Sequence, residues 1–217
     1  MTAPGSFLYP MLDAQERDAP ALLADLARSA QAKAVESVQT RAHTLTALSG
    51  ALDRAAGAMA GAFAAGGRLF CFGNGGSATD AAGLAALFTS PATGRSLPAR
   101  TLVADAAVLT ALANDIGVEV LFARQLIAHA RPGDIALGLS TSGGSANVLR
   151  GFAEARRRGM LTVGLAGYGG GAMRTSPDVE HCLGVDAQSV HRTQEAQSAV
   201  AHALWTRVQQ RLEPEEN

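Results

Sequence analysis

With 217 residues, the chain is long enough for one well-packed domain and an additional helical segment. Its formal net charge is −1 and 47% of its residues are hydrophobic. Balanced charge provides no general attraction to nucleic acid or to an anionic membrane surface, so we expect neither as a partner. An uninterrupted apolar stretch of about 20 residues, as a membrane span needs, is lacking.

The cysteines and the N-terminal sequence indicate a compartment. Cys71 and Cys182 lie in apolar stretches without CxxC spacing, which is typical of buried free thiols in a reducing environment. The first residues, MTAPGSFLYPMLDAQERD, lack the basic start and apolar core of a signal peptide. We therefore expect a cytoplasmic protein.

Helical periodicity dominates the N-terminal part of the chain. Between residues 20 and 64, apolar residues recur at three- and four-residue steps. This pattern predicts two long helices or one that bends, with Gly50 and Gly57 as candidate breaks, and its apolar stripe needs a partner surface. We assign residues 1–65 to an N-terminal helical extension and residues 66–217 to the domain that follows.

After residue 67 the pattern changes to short apolar runs that alternate with helical segments. The apolar runs predict five strands, at 68–72, 99–104, 134–139, 161–166 and 179–185. The helical patterns between and after them lie at 77–90, 106–114, 118–130, 145–158 and 189–212. Such alternation predicts an α/β fold in which a parallel sheet is covered by helices on both faces.

Two glycine- and hydroxyl-rich turns follow predicted strands, GNGGS at 73–77 and STSGGS at 140–145. Each leads into a helix N-terminus, whose free N–H groups and dipole favour an anion. Ligands collect at the carboxyl ends of parallel strands, so the two turns together predict a phosphorylated ligand. The candidate binding residues in the turns are Asn74, Gly75, Ser77, Ser140, Thr141, Ser142 and Ser145.

Two other interpretations of these turns stay open. Ser77 or Ser145 alone would serve as the N-cap of a tight strand-to-helix turn. The series GxGxxA at 73–78, with Asp105 after the next strand, also fits a permissive dinucleotide-binding fingerprint. Its spacing is several residues too long, and a dinucleotide leaves the second turn without a role.

Several motifs occur in a fixed order over residues 20–212, namely GNGGS, LxxDxxxLTALANDxG, FARQ, RPGDIALGLSTSGGSANVL and TQE. In this combination the chain resembles the sugar isomerase (SIS) domain family, and within it the sedoheptulose 7-phosphate (phosphoheptose) isomerases. The resemblance implies a flavodoxin-like, five-stranded parallel sheet flanked by helices. It also implies a homotetramer in which the N-terminal helices contact other subunits, with the site for a phosphorylated sugar at a subunit interface.

The same resemblance assigns roles to residues of the turns. It implies that the phosphate binds at the STSGxS turn, whose residues here are Ser140, Thr141, Ser142 and Ser145. Asn74 and Ser77 are then expected to line the site from the first turn, and Asp105 to lie near the sugar.

The chain departs from the family on the helix after GNGGS. Family isomerases carry a histidine there and, four residues later, a glutamate, which bind zinc together with a glutamine and a histidine of the C-terminal helix. The glutamate is also assigned the proton transfer. Gly83 and Leu87 occupy these two positions, whereas Gln194 and His202 match the other two ligands. Two neutral ligands without a carboxylate bind a divalent cation poorly, so we expect no zinc and no other cofactor.

Aldose–ketose interconversion needs a base that removes the proton next to the carbonyl and an acid that stabilises the enediolate. With Leu87 in the usual place of the base, the candidates are His202, Glu195, His191 and Asp105. We prefer His202; Glu195 lies seven residues before it, on nearly the same helix face. By the resemblance, His191 stands where family members usually carry an aspartate.

Each candidate also has a structural interpretation. His202 is equally suited to packing at an interface, and Glu195 to a structural ion pair. His191 and Asp105 are placed where they could cap or flank a helix.

Three functions are consistent with these observations. The first is an aldose–ketose isomerase of a seven-carbon or similar sugar phosphate that works without the usual metal. The second is a binding or regulatory protein that keeps the phosphate turn without turnover, related to family members that bind the bacterial replication initiator. Gly83 and Leu87 favour the second, and the retained Gln194 and His202 favour the first. The third, a dinucleotide-dependent oxidoreductase, rests on the weak fingerprint alone.

Overall fold

The computed structural model describes residues 19–213. The predictions for residues 1–18, including the absence of a signal peptide and the start of the helical extension, lie outside this range. The described helices are α1 (Ala19–Ala47), α2 (Ser49–Ala64), α3 (Gly76–Thr89), α4 (Ala106–Asp115), α5 (Leu121–His129), α6 (Ala146–Arg157), α7 (Gly171–Thr175) and α8 (Val190–Leu212). The described strands are β1 (Leu69–Gly73), β2 (Ala99–Thr101), β3 (Ile135–Ser140), β4 (Leu161–Ala166) and β5 (His181–Gly184).

The five strands form one parallel sheet in the order β2-β1-β3-β4-β5. Every residue of β1 and β3 is buried, as expected for strands that helices cover on both faces. The sheet confirms the predicted α/β fold with five parallel strands, and its order is that of flavodoxin-like folds. β2 is shorter than predicted because, once the Leu102 amide has bonded the Cys71 carbonyl (2.9 Å), the chain turns away from the sheet edge.

Two apolar clusters pack against the two faces of the sheet. Side chains alternate along β1, so that Leu69 and Cys71 join one cluster while Phe70 and Phe72 join the other. The first cluster holds the buried faces of α2, α3 and α8, and the second holds those of α5 and α6. Both cysteines are free thiols; Cys71 is buried, and burial raises the pKa of its thiol.

The N-terminal helices divide differently from the sequence expectation. α1 and α2 are separated at Leu48, whereas Gly50 and Gly57 lie within α2. Contacts divide the chain into two units with the boundary between Gln39 and Thr40. α2 thus belongs with the sheet rather than with a separate extension ending at residue 65, because its buried face is part of the first apolar cluster. Across residues 19–213, no helix combines the length and apolarity needed to cross a membrane.

Gly138, in the centre of β3, lies against two aromatic rings of the second cluster, so a larger residue there tests how tightly this cluster is packed. A Cβ at this position would lie 2.6 Å from the Phe152 ring and 2.9 Å from the Phe72 ring. Both rings are fully buried and already pack together, with centroids 5.4 Å apart. We expect Gly138→Ala to lower the free energy of unfolding by about 1–3 kcal/mol, measured by urea denaturation.

Gly61→Ala is the matched control for that substitution. Gly61 lies inside α2 and is exposed, and among residues 19–213 none has an atom within 4 Å of an added Cβ beyond the helix's own backbone. Alanine here should stabilise the protein by roughly 0.5–1 kcal/mol, because it restricts the unfolded chain and favours the helix. Equal stability of the Gly138 variant and the wild type would show that the two rings can move apart.

Candidate functional site

The two predicted turns lie side by side at one edge of the sheet. β1 and β3 pair in parallel, with Gly73 opposite Leu139, so the turns that follow the two strands are neighbours. β2 lies on the other side of β1, which makes the gap between β1 and β3 the point where the strand order reverses. Ligands of open parallel sheets bind at this position.

The helices that follow these turns begin without a side-chain cap. The N-cap residues are Gly75 for α3 (φ +55°) and Ser145 for α6, and neither side chain bonds a first-turn amide. The N-cap of α4, by contrast, is Asp105, whose Oδ1 accepts from the Ala107 amide (2.9 Å) and the Val108 amide (3.1 Å). The capping interpretation therefore describes Asp105, whereas the amides of α3 and α6 remain available to an anion.

Three serine hydroxyls converge in the second turn. Ser140 Oγ lies 2.9 Å from Ser145 Oγ and 3.2 Å from Ser142 Oγ. Ser142 Oγ also accepts from the Gly144 amide at 3.2 Å. Each hydroxyl can turn to donate to a phosphate oxygen, so the cluster supplies donors next to the open N-terminus of α6.

A pair of asparagine side chains joins the two turns. Asn74 Nδ2 donates to Asn147 Oδ1 (2.8 Å), and Asn147 Nδ2 donates to Asn74 Oδ1 (2.9 Å). Both residues line a cavity of about 310 Å³ together with Ser145 and Glu119. Sequence reasoning missed Asn147, although its place in the first turn of α6, two residues after Ser145, was a usable signal.

Backbone packing fixes the shape of the second turn from behind. A Cβ on Gly143 would clash with the Gly170 carbonyl, and one on Gly171 would clash with the Ser142 carbonyl. Gly167 lies equally close to the Thr141 carbonyl. The glycines after β4 therefore allow two backbone segments to touch, which holds the hydroxyl cluster in position.

Of the two retained family positions on α8, Gln194 reaches the first turn. Its side-chain amide fills the space that a Cβ on Gly76 would need, at the start of α3. Ser77, the next residue, is buried within the first turn of the same helix. The structure thus brings Gln194 to the GNGGS turn.

His202, the other retained position, lines a cavity between α3 and α8. The cavity has a volume of about 390 Å³, and Gly83 and Leu87 line it as well. The His202 ring is exposed and its centroid lies 5.4 Å from that of Trp205. Gly83, Leu87 and His202, three of the four positions of the family's zinc pattern, therefore line the same cavity.

The remaining candidates lie elsewhere on α8. Glu195 Oε1 pairs with Arg192 Nη2 at 2.7 Å, and His191 is exposed in the first helical turn. Neither is among the residues that line the α3–α8 cavity.

The same cavity contains two acceptors that the sequence did not single out. Asp80 Oδ2 and Gln197 Oε1 are buried atoms without a hydrogen-bond partner among the described residues. Gln197 Nε2 contacts the Ser140 carbonyl at 3.4 Å, next to the hydroxyl cluster. Burial raises the pKa of the Asp80 carboxyl. Helical spacing was the available signal, since Asp80 precedes Gly83 by three residues and shares its face.

The side chains at the family's zinc positions do not fit that metal. Gly83 and Leu87 have no donor atom, and the amide of Gln194 packs over the first turn. Across residues 19–213, no group of three or more His, Cys, Asp or Glu side chains is arranged to hold a metal ion.

Known proteins match the chain over most of its length. The SIS domain model matches residues 33–167, which is more than half of the chain. The chain belongs to the SIS-domain family. Phosphoheptose isomerases are among the relatives of this SIS-domain protein. The one from Roseiflexus sp. is 44% identical over 152 residues, or 69% of this chain and 76% of the relative. The one from Rhodospirillum rubrum is 40% identical over 168 residues, or 75% and 86%.

Solved structures give the same relationship for this SIS-domain protein. A phosphoheptose isomerase from Neisseria gonorrhoeae has a TM-score of 0.78 at 32% identity, covering 84% of this chain and 98% of that one. A phosphoheptose isomerase from Francisella tularensis has a TM-score of 0.79 at 30% identity, with coverages of 85% and 98%. The resemblance inferred from the motifs is confirmed.

Asp80→Asn is expected to stabilise the SIS domain at neutral pH. Because folding raises the pKa of this carboxyl above its ordinary 3.8, the charged form costs stability above the folded-state pKa. That cost vanishes at pH 3, where the carboxyl is protonated in both states. We expect a gain of less than about 1 kcal/mol at pH 7, since the side chain is only partly buried, and none at pH 3. Urea unfolding at both pH values measures the free energy of unfolding of the variant and the wild type. A variant that is less stable than the wild type at pH 7 would show that the Asp80 carboxylate is stabilised by a partner in the folded protein.

Proposed function

We propose that this SIS-domain protein is an aldose–ketose isomerase of a seven-carbon or similar sugar phosphate. The observation that supports it best is the pair of uncapped helix N-termini beside the serine cluster, where the strand order reverses. A dianionic phosphate would provide hydrogen-bond acceptors for these amides and hydroxyls. The relatives named phosphoheptose isomerase favour this substrate class over the dinucleotide alternative.

The geometry of the turns supports the following binding roles. The phosphate contacts the hydroxyls of the second turn and the first-turn amides of both helices, and Gln194 borders the ligand from α8. The sugar chain extends towards the α3–α8 cavity and Asp105. The residues proposed to bind the ligand are Asn74, Gly75, Ser77, Asp105, Ser140, Thr141, Ser142, Ser145 and Gln194.

His202 is the preferred proton-transfer residue among those that the sequence proposed. Its ring is exposed in the α3–α8 cavity, so it can reach oxygen atoms of a bound sugar. Glu195 and His191 remain weaker candidates, since Glu195 is engaged by Arg192 and His191 lies in the first turn of α8. We also propose that catalysis here uses no zinc, because Gly83 and Leu87 remove two donors from the family's set.

Assembly as a cytoplasmic homotetramer, with the site at a subunit interface, is part of the proposal. On α1, the apolar side chains of Leu23, Val35 and Val38 are 65%, 50% and 58% exposed. An apolar stripe of this kind on a helix is suited to contact with other subunits.

The second candidate is a sugar-phosphate-sensing or regulatory protein without turnover. Gly83 and Leu87 favour it, because they replace the family's base and metal ligands while the phosphate turn stays complete. The two candidates differ in turnover, whereas both require binding of the sugar phosphate.

Incubation with sedoheptulose 7-phosphate, followed by NMR of the aldose product, tests the isomerase. We expect conversion that is unchanged by EDTA or added zinc, and at least about 100-fold slower for His202→Ala, the size of a lost proton-transfer group. Binding without conversion at high enzyme concentration would leave the regulatory candidate. Activity lost with EDTA and restored by zinc would overturn the metal-free site.

Ser142→Ala tests the phosphate assignment separately from turnover. A ligand at 100 times its dissociation constant stabilises the folded state by about 2.7 kcal/mol, which a thermal-shift assay detects. Loss of one hydrogen bond to a charged phosphate is expected to weaken binding by about 1.5–3 kcal/mol, or roughly 10- to 150-fold. Ser90→Ala, exposed at the C-terminal end of α3 and outside both the turns and the α3–α8 cavity, provides the serine control. An unchanged shift for Ser142→Ala would remove the phosphate from this turn.

A further inference from the structure

The α3–α8 cavity contains a carboxylate for which the proposed function has no role so far. Asp80 lies on α3, one helical turn before Gly83 and two before Leu87, and all three line the cavity. His202 borders the same cavity from α8. A carboxylate and an imidazole therefore face one space in which the family's usual carboxylate is replaced by an aliphatic side chain.

Two buried acceptors at this cavity have no hydrogen-bond donor among the described residues. Asp80 Oδ2 has no partner among the described residues, and neither has Oε1 of Gln197, whose side chain is completely buried. Buried polar atoms are nearly always paired, and leaving one unpaired costs about 1–3 kcal/mol. A ligand with hydroxyl groups would satisfy both atoms, which indicates a polyhydroxylated carbon chain as the occupant.

Gln197 also connects this cavity with the phosphate turn. Its Nε2 contacts the carbonyl of Ser140, and the hydroxyl of Ser140 belongs to the serine cluster. Leu139, the preceding residue, lines the cavity itself. The α3–α8 cavity therefore adjoins the turn at which we propose that the phosphate binds.

We propose that Asp80 is the proton-transfer base of this site and that Gln197 positions the substrate by accepting a hydrogen bond from one of its hydroxyls. The inference rests on the proposed isomerase function and adds the group that the replacement of glutamate by Leu87 removes. Asp80 is better placed than Glu195, whose carboxylate pairs with Arg192 outside the cavity.

The isomerisation needs only Asp80 and His202 as proton-transfer groups and no further reactant. From a ketose, the Asp80 carboxylate takes a proton from C1, the C–H electron pair forms the C1–C2 double bond, and protonated His202 gives its proton to the C2 oxygen. The C1 hydroxyl of the enediol then returns a proton to His202 as the C1 carbonyl forms. Asp80 delivers its proton to C2, which completes the aldose and restores both side chains.

Asp80→Asn separates this role from binding and folding. In D₂O, NMR measures both conversion of sedoheptulose 7-phosphate and deuterium uptake at the carbons next to the carbonyl. We expect both rates to fall at least about 100-fold, since a positioned base contributes about 10²–10⁴. The ligand-induced thermal shift should stay within about a third of the wild-type value, because the amide keeps an oxygen and the shape of the side chain. Asp178→Asn, which lies in the loop before β5, is the control and should match the wild type.

The outcomes are distinct. Lost exchange with a retained thermal shift supports Asp80 as the base, and partial activity of Asp80→Glu, which keeps the carboxylate, would strengthen that result. An active wild type with Asp80→Asn above a tenth of its rate overturns the inference and leaves the isomerase proposal intact. Loss of the thermal shift together with exchange also overturns it, because Asp80 then acts in binding. An inactive wild type that still binds the ligand defeats both proposals.

Discussion

The parallel pairing of β1 with β3 is the constraint on which the whole site depends. Parallel strands must each be followed by a crossover connection, so the segments that follow β1 and β3 leave the sheet at the same end, the carboxyl end of the strands. Because the order reverses between β1 and β3, the two crossovers depart to different sides and leave a gap. Two helix N-termini border that gap, and their dipoles add at one point. No charged side chain is needed to create the attraction for a phosphate.

α3 explains how one helix serves both the fold and the site. Its inner face is apolar, with Leu84 and Phe88 buried in the first cluster, and its small residues let it approach β1 closely. Its N-terminus opens on the phosphate gap, while another face borders the cavity shared with α8. Five of its fourteen residues are buried, and apart from one residue the helix carries no charged side chain. Asp80 is the exception, and its cost in stability is understandable if the carboxylate has a use.

The sequence predicted the elements that depend on local pattern and on strand connectivity. Apolar runs located all five strands, and the glycine turns indicated the end of the sheet at which we propose that the ligand binds, because both signals arise from neighbours in the chain. The break lies at Leu48 rather than at Gly50 or Gly57, because both glycines belong to a helix whose buried face packs in the first cluster, and this packing overrides their low helix propensity.

Within the site, sequence reasoning was limited to residues at positions with a recognisable pattern. Asn147 and Asp80 were missed because their importance depends on neighbouring elements: Asn147 bonds Asn74 of the other turn, and Asp80 lines a cavity that α8 completes. Asp105 shows the converse. Its position after β2 suggested a ligand contact, which stays a prediction, and the structure shows that its Oδ1 also caps α4, the local interaction that the sequence suggested as an alternative.

The replacement of two family residues changes the electrostatics of the α3–α8 cavity as a whole. A site with a cation lowers the pKa of nearby carboxylates and stabilises an enediolate directly. Gly83 and Leu87 offer neither a ligand nor a charge, so the carboxylate of Asp80 is left in apolar surroundings that raise its pKa. A higher pKa makes a carboxylate a stronger base, which would favour proton removal in the metal-free site that we propose. It does nothing for the oxygen atoms, whose developing charge then depends on hydrogen-bond donors such as His202. On the proposed function, such a site would favour the proton transfers of an isomerase over any step that requires a strong Lewis acid, and its rate would depend on how well those donors are positioned.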